Sequence, residues 1–360
     1  MSFSSIIGQH RAKGILARAI ENNRVPHAYL FNGPTGVGKE ALAIEFAKAL
    51  FCKSENERPC DVCSSCTRIN SFQHPDFIFL FPSSTKKVEE ERDVLDSVMA
   101  NPYRRNRPWA SPTIGIEKIR DIRHITTLKP LEGRRVVIIA EADKMTIPAA
   151  NSLLKILEEP PDTMHLILTA SQVSGMLPTI LSRCQEIRLG PLPDKDIEWA
   201  LIEKNSIDPE QAKLVSRTSQ GSYTRALEWL DEGFNDLREN AVDFMRTCLK
   251  DPKSQIERIE ELIKQHDVKT IKDILSLILL WFRDAQILME YGDTGEKHLV
   301  NVDQLATLQK FVSAFDSIEF HAAFSEIENS ITMIERSIQI NLILFVLMIK
   351  LKNALKLKGR

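Results

Sequence analysis

Ala28-Tyr29-Leu30-Phe31-Asn32-Gly33-Pro34-Thr35-Gly36-Val37-Gly38-Lys39-Glu40 is the stretch that decides the fold. An apolar run forms a strand and G-x-x-x-x-G-K turns the chain. Ala41, Leu42, Ile44, Phe46, Ala47 and Leu50 then recur at helical spacing. Strand, glycine loop and helix in that order make a phosphate-binding loop. Gly33, Gly36 and Gly38 leave backbone N–H groups open to phosphate oxygens at a helix N-terminus, and Lys39 adds a positive charge. The next position departs from the pattern. A Ser or Thr hydroxyl there holds a magnesium ion, and this chain has Glu40. A carboxylate beside a triphosphate adds repulsion of roughly 4 kcal/mol at about 4 Å and an effective dielectric of about 20. Carboxylates also ligate magnesium in other sites, so binding with altered metal handling stays open at this stage.

Further strands read at 77–81, between Pro75 and Pro82, at 134–139 and at 166–169. They are near-continuous apolar runs separated by helical segments, the signature of a parallel sheet buried on both faces. The polar stretch 83–93 reads as a loop or an exposed helix. The third strand runs into Ala140-Glu141-Ala142-Asp143. ATPases with this loop end that strand in an acid that helps hold the metal. Ala140 stands there, with Glu141 or Asp143 available after a register shift. Two metal-holding positions are thus altered together.

The strand pattern stops near Leu189, and Pro191-Leu192-Pro193 marks a boundary. Everything beyond reads as helix, including an apolar helix at 271–282 and a long one at 320–349 with an interruption. The basic tail (Lys350, Lys352, Lys356, Lys358, Arg360) reads as a solvated helix end. The apolar run 342–349 is too short to span a bilayer, and Met-Ser-Phe-Ser-Ser opens the chain without a secretory pattern, so a cytoplasmic protein with no membrane partner is expected. The 360 residues suffice for two or three cores. A formal charge of −2, from 47 basic and 49 acidic residues, argues against a surface that grips nucleic acid all over and disfavours a zinc-dependent DNA-binding module.

Cys52, Cys60, Cys63 and Cys66 bring four thiolates into one short loop. Tetrahedral zinc takes four such ligands in a structural site, with no open position for catalysis. A cytosolic setting disfavours disulfides, and an iron–sulfur cluster is the alternative. Cys248 reads as a buried helix residue. Arg104, Arg105 and Arg107 with Trp109 could stack on a nucleic acid base, but Pro102, Pro108 and Pro112 favour a solvated loop. Ser182-Arg183-Cys184 is by itself a surface arginine beside a core cysteine. Just past the fourth strand, however, Arg183 could project toward a neighbouring subunit, where a guanidinium supplied in trans to a transferring phosphate is worth about 10³–10⁵ in rate.

Taken together these motifs resemble the clamp-loader branch of the AAA+ ATPases. The resemblance is carried by Ile7-Gly8-Gln9, His27-Ala28-Tyr29-Leu30-Phe31, the four cysteines, His74-Pro75-Asp76 and Ile116-Glu117-Lys118-Ile119-Arg120. It continues through the segment 151–161, the segment 177–184 and Gly221-Ser222-Tyr223-Thr224-Arg225-Ala226-Leu227, which is similar to the family's second sensor. It covers residues 1 to about 230. It implies an α/β AAA+ domain with a parallel sheet over 1–190, carrying the zinc module 52–66. A helical lid at 191–235 and an all-helical collar at 236–360 follow. It also implies a place in a hetero-pentamer with gamma/tau and delta subunits that puts a sliding clamp on primed DNA. Three departures from the motor subunits stand out: Lys39-Glu40 for Lys-Ser or Lys-Thr, Ala140-Glu141 for Asp-Glu, and Thr224 where the sensor arginine falls, with Arg225 next to it. The resemblance therefore implies a stator. It would lend Arg183 to a neighbour's ATP site, hold a structural zinc, and bind ATP at Gly33, Gly36, Gly38, Lys39, Glu40 and Arg225 weakly or without hydrolysis. The alternative is an active gamma/tau-like ATPase with an atypical metal site.

Overall fold

The computed structural model describes residues 3–54, 57–84, 88–106, 108–109, 111–126, 128–335 and 339–357. Arg107, Lys358 and Arg360, named above, lie outside them. The chain divides into two compact units, residues 1–205 with 220–225, and residues 206–219 with 226–360.

The first unit is built on a parallel five-stranded sheet: β1 (Ala28–Asn32), β2 (Phe77–Leu80), β3 (Arg135–Ile139), β4 (Met164–Ala170) and β5 (Gln185–Arg188), in the spatial order β2-β3-β4-β1-β5. Helices α1 (His10–Glu21), α2 (Lys39–Phe51), α3 (Ser64–Asn70), α4 (Val88–Ala100), α5 (Ile116–Thr126), α6 (Ile147–Glu158), α7 (Pro178–Leu181) and α8 (Asp194–Asn205) complete it. All five residues of β3 are buried, which is why its Val-Val-Ile-Ile run shows no alternation. One side of the sheet packs Leu30, Val137, Ile139, Leu166 and Leu168 against Ile119 and Ile122 of α5 and Leu153 and Leu157 of α6. Leu154 is only partly buried there.

Twelve of the thirteen residues of α2 are buried, all but Glu40. A helix enclosed this completely cannot shift, so the loop that feeds it is fixed at both ends. β1 lies between β4 and β5, and that loop leaves its carboxyl end, the edge where α/β sheets place ligand crevices.

The second unit contains α9 (Pro209–Thr218), α10 (Tyr223–Glu232, apart from its first three residues), α11 (Phe234–Cys248), α12 (Pro252–Gln265), α13 (Val268–Tyr291), α14 (Leu305–Ser313), α15 (Phe320–Glu335) and α16 (Ile340–Ala354). Asp208, Asp251 and Asp267 cap three of them by accepting from backbone N–H groups of the first turn, each cap worth about 1 kcal/mol. Cys248 is buried in α11, as expected. The long apolar helix is twice the length read from its core, and the 320–349 segment is two helices.

Two features are absent from the sequence reading. β5 has only Ile187 buried, so no apolar run announces this strand at the sheet's edge. The helical region also contains an antiparallel pair, β6 (Phe315–Ile318) and β7 (Leu355–Leu357).

Within the second unit, Asp284 is fully buried and accepts from Val300 N at 3.1 Å, Asn301 N at 2.8 Å and Asn301 Nδ2 at 2.8 Å. Arg238 holds the same turn by a bidentate pair with Asp303 at 2.7 and 2.8 Å. An unsatisfied buried donor costs about 1–3 kcal/mol. Asp284→Ala is therefore expected to lower stability by about 3 kcal/mol or more in urea unfolding, and Asp284→Asn by less.

Candidate functional site

Gly36 and Gly38 have φ of +82° and +91°, values that favour glycine. Space requires glycine as well. A Cβ on Gly36 would lie 2.0 Å from Ser222 Oγ, and one on Gly38 would lie 2.7 Å from the ring of Tyr103. The carbonyl of Gly36 accepts from Tyr223 N at 3.0 Å. The segment 220–225 thus closes directly over the loop. Lys39 is buried, and its Nζ donates to Gly33 O at 2.8 Å, Pro34 O at 2.7 Å and Ser171 Oγ at 3.0 Å. Gln9, of the Ile7-Gly8-Gln9 motif, donates to Val37 O at 3.2 Å and to Gly190 O at 2.8 Å.

Sequence reasoning missed Tyr103. It is buried, accepts from Ile7 N through its hydroxyl at 3.0 Å, and meets Tyr223 edge-on at a centroid distance of 5.0 Å. Thr224 Oγ1 donates to Tyr103 O at 2.7 Å. Burial pushes the Tyr103 phenol well above its usual range and that of Tyr223 up to about 12, so both remain neutral hydroxyls.

Arg105 is not a solvated side chain. The Arg105 side chain is only 5% exposed; its Nη1 lies 3.1 Å from Glu40 Oε1 and its Nη2 donates to Glu141 Oε1. Its guanidinium carbon is 5.9 Å from the centroid of Phe81. Trp109 stacks on the same ring at 6.3 Å and donates to Glu90 Oε2 at 2.9 Å. The prolines gave no hint of this, because the carboxylates that draw Arg105 inward are 65 and 36 residues away in sequence. Ala140, fully buried, directly follows β3, and Glu141 shares Arg105 with Glu40. Asp143 instead accepts from Gln172 N at 3.2 Å. At the second sensor, Thr224 lies against Gly36, while Arg225 donates its backbone N–H to Ser222 Oγ at 3.3 Å.

The four cysteines converge. Cys52 ends α2, Cys63 precedes α3 and Cys66 lies within it. Their sulfurs and that of Cys60 all lie within 4.8 Å of one another. A tetrahedron with metal–sulfur bonds of about 2.3 Å has edges of about 3.8 Å, so the four can close on one metal ion. Cys63 N donates to Cys60 Sγ at 3.4 Å. Burial raises the Cys52 and Cys66 thiols. At Cys63 burial also works upward, but hydrogen bonds from Cys66 and Lys53 overcome it and hold the thiol down at about 6. Glu132 fastens this module to the sheet. It accepts from Ser65 Oγ at 2.8 Å and from Arg68, and its own N–H donates to Asp76 Oδ2 at 2.8 Å. Asp76, from the His74-Pro75-Asp76 motif, pairs in turn with Arg135 of β3 at 3.3 Å.

Arg183 lies between α7 and β5. Its side chain is 35% exposed, pairs with Glu158 Oε1 at 3.0 Å and donates to Thr179 O at 2.9 Å. β5 runs parallel to β1 with Gln185 beside Tyr29 and Arg188 beside Asn32. Arg183 therefore precedes the strand at one edge of the sheet, whereas Gly33 follows Asn32 at the other. From the level of Gln185, beside Tyr29, to Gly33 the strands rise by four residues at about 3.3 Å each, roughly 13 Å, and Arg183 lies in the turn before Gln185.

A parallel sheet, a glycine loop entering a buried helix and Glu141 shortly after the third strand define a P-loop domain of AAA+ type. Residues 8–193 match the family described as DNA polymerase III, delta subunit. The chain is 35% identical over 324 residues to DNA polymerase III subunit delta' of Bacillus subtilis (strain 168), covering 87% of this chain and 84% of that protein. It is 30% identical over 274 residues to DNA polymerase III subunit tau of Escherichia coli (strain K12), covering 73% of this chain but only 38% of the longer tau. A gamma subunit-related protein of Thermotoga maritima is similar in structure, with TM-score 0.44 and 16% identity over 95% of this chain and 99% of that one. The chain belongs to the DNA polymerase III delta' family of clamp-loader subunits. No helix among the described residues is long and apolar enough to cross a membrane.

Four sulfurs in tetrahedral reach give a spectroscopic expectation. One equivalent of Co²⁺ added to the metal-free, reduced chain should produce thiolate-to-cobalt charge transfer and the intense visible bands of a four-sulfur tetrahedral site. Cys63→Ser should weaken and shift them, and a signal unaltered by that substitution would place the cobalt elsewhere.

Proposed function

We propose that this clamp-loader subunit works as a stator: it hydrolyses no ATP of its own and supplies Arg183 to the ATP site of an adjacent gamma/tau-type subunit. The observation that carries this reading is the parallel pairing of β1 with β5: Arg183 precedes the start of β5, whereas its own phosphate loop leaves the opposite end of β1. A planar guanidinium held by one surface carboxylate can exchange that partner for a γ-phosphate with the same bidentate geometry. An arginine at that edge has no phosphate of its own chain to serve, and its exposure leaves it open to a neighbour's.

In the same reading, Gly33, Gly36, Gly38, Lys39, Glu40 and Arg225 are the remains of a nucleotide site, with ATP bound weakly or not turned over. Cys52, Cys60, Cys63 and Cys66 hold a structural zinc. Residues 191–235 serve as a lid and 236–360 as a collar that joins gamma/tau and delta subunits in a hetero-pentamer. That assembly, part of the cytoplasmic DNA polymerase III holoenzyme, places a sliding clamp on primed DNA.

Two measurements check this. The purified chain should show no ATP turnover above background and contain one equivalent of zinc; robust turnover by the chain alone would favour the gamma-like ATPase. In a reconstituted loader, Arg183→Ala should depress clamp- and DNA-stimulated ATPase, with about a 10³-fold loss or more at the one site it serves. Stimulated turnover equal to wild type would refute the trans role.

A further inference from the structure

We propose that the guanidinium of Arg105 is a built-in replacement for the divalent cation of this phosphate loop. A P-loop site holds magnesium between the residue after its lysine and the acid at the end of the third strand. In this chain the first place carries Glu40 and the second Ala140, with Glu141 as the next residue, and Arg105 contacts both carboxylates. All three side chains are largely withdrawn from water, the two carboxylates at 14% exposure and the arginine at 5%. Two carboxylates that face one point repel each other, and a cation between them offsets that repulsion. A guanidinium meets that need because its charge is spread over a flat fork that lies against both carboxylates: Nη2 donates to Glu141 and Nη1 forms an ion pair with Glu40 at 3.1 Å. Magnesium does not fit beside it. The ion demands near-octahedral oxygen ligands at about 2.1 Å, and the space between these carboxylates already contains the guanidinium nitrogens.

The arginine is not a loose arm swung inward. Its backbone is tied down on both sides: Tyr103 N donates to Asn101 Oδ1 at 2.9 Å, Tyr103 O accepts from Thr224, and Asn106 N donates to Ser97 Oγ at 2.8 Å. Two residues before Arg105, the Tyr103 ring rests on Gly38. The segment 101–106 is thus an internal occupant: an aromatic ring on the glycine loop and a cation beside the metal position, between Glu40 and Glu141. Glu40 ceases to be a defect under this reading, since it is the carboxylate that pairs with the arginine.

The inference rests on the family reading of the phosphate loop but not on the role of Arg183, so it can fail while the trans-arginine role holds, and the reverse. It also makes a gain-of-function prediction, because removing the arginine leaves an acidic pair suited to a hard cation. The experiment uses the full chain with its cysteine site loaded with zinc, and follows Mn²⁺ binding by electron paramagnetic resonance. Wild type should show no Glu40-dependent Mn²⁺ binding, and neither Mn²⁺ nor magnesium–ATP should raise its Tm. Arg105→Ala should bind one Mn²⁺ at least tenfold more tightly than wild type. Adding Glu40→Gln and Glu141→Gln to that variant should abolish the gain, and Arg105→Lys, which keeps a cation in place, should not acquire it. A folded Arg105→Ala protein with no gain would overturn the proposal. Independently of whether that variant folds, so would Mn²⁺ binding to wild type that Glu40→Gln removes.

Discussion

A single guanidinium between two carboxylates sets the condition of the first unit. Arg105 joins the start of α2, through Glu40, to the end of β3, through Glu141. A buried ion pair of this kind is no guarantee of net stability, because taking the charges out of water costs several kcal/mol per ion. What it gives is specificity of arrangement. Breaking a buried pair of this kind by removing one partner costs about 3–5 kcal/mol. The phosphate loop is thereby committed to one geometry by groups within the same chain. Lys39, turned back onto the carbonyls of Gly33 and Pro34, belongs to the same commitment.

The fold was legible wherever burial on both faces wrote long apolar runs. Val136 to Ile139 could hardly be anything but a central strand, and the glycine loop between an apolar run and a helix identified itself. β5 was not legible, since an edge strand with Ile187 alone turned inward has the composition of a turn. The site was legible by type and not by partnership. Glu40 and Ala140 stood out as departures, and the cysteine spacing announced a metal-binding cluster that the sulfur positions support. Arg105 and Tyr103 were hidden because their roles depend on contacts with Glu141, Gly38 and Ile7, and no periodicity records an ion pair across dozens of residues. The local signal at Arg105, three prolines around a charged cluster, pointed the wrong way. Composition predicts the average environment of a loop, and the positions that matter for chemistry are those that depart from it.

The cysteine module shows how a local cluster is made part of a domain. Its four sulfurs come from the end of α2, the following loop and the start of α3, so metal binding would pin the same helix that carries the phosphate loop at its other end. Glu132 adds a second attachment, through Asp76, to the buried Arg135 at the start of β3. The His74-Pro75-Asp76 motif is explained by this attachment. It belongs to the anchorage of the module and not to any chemistry on phosphate.

The parallel pairing of β1 and β5 has a further consequence for assembly. A domain that offers an arginine at one edge of its sheet and a phosphate site at the other has a polarity, like a tile with a peg on one side and a socket on the opposite one. Such tiles join head to tail and the row they form has a direction. A tile whose socket is stopped by its own substance can present its peg but accept none. On the trans-arginine reading it therefore fits at one end of the row and nowhere in its interior, and a single buried arginine would fix both the number of working sites and the order in which the subunits stand.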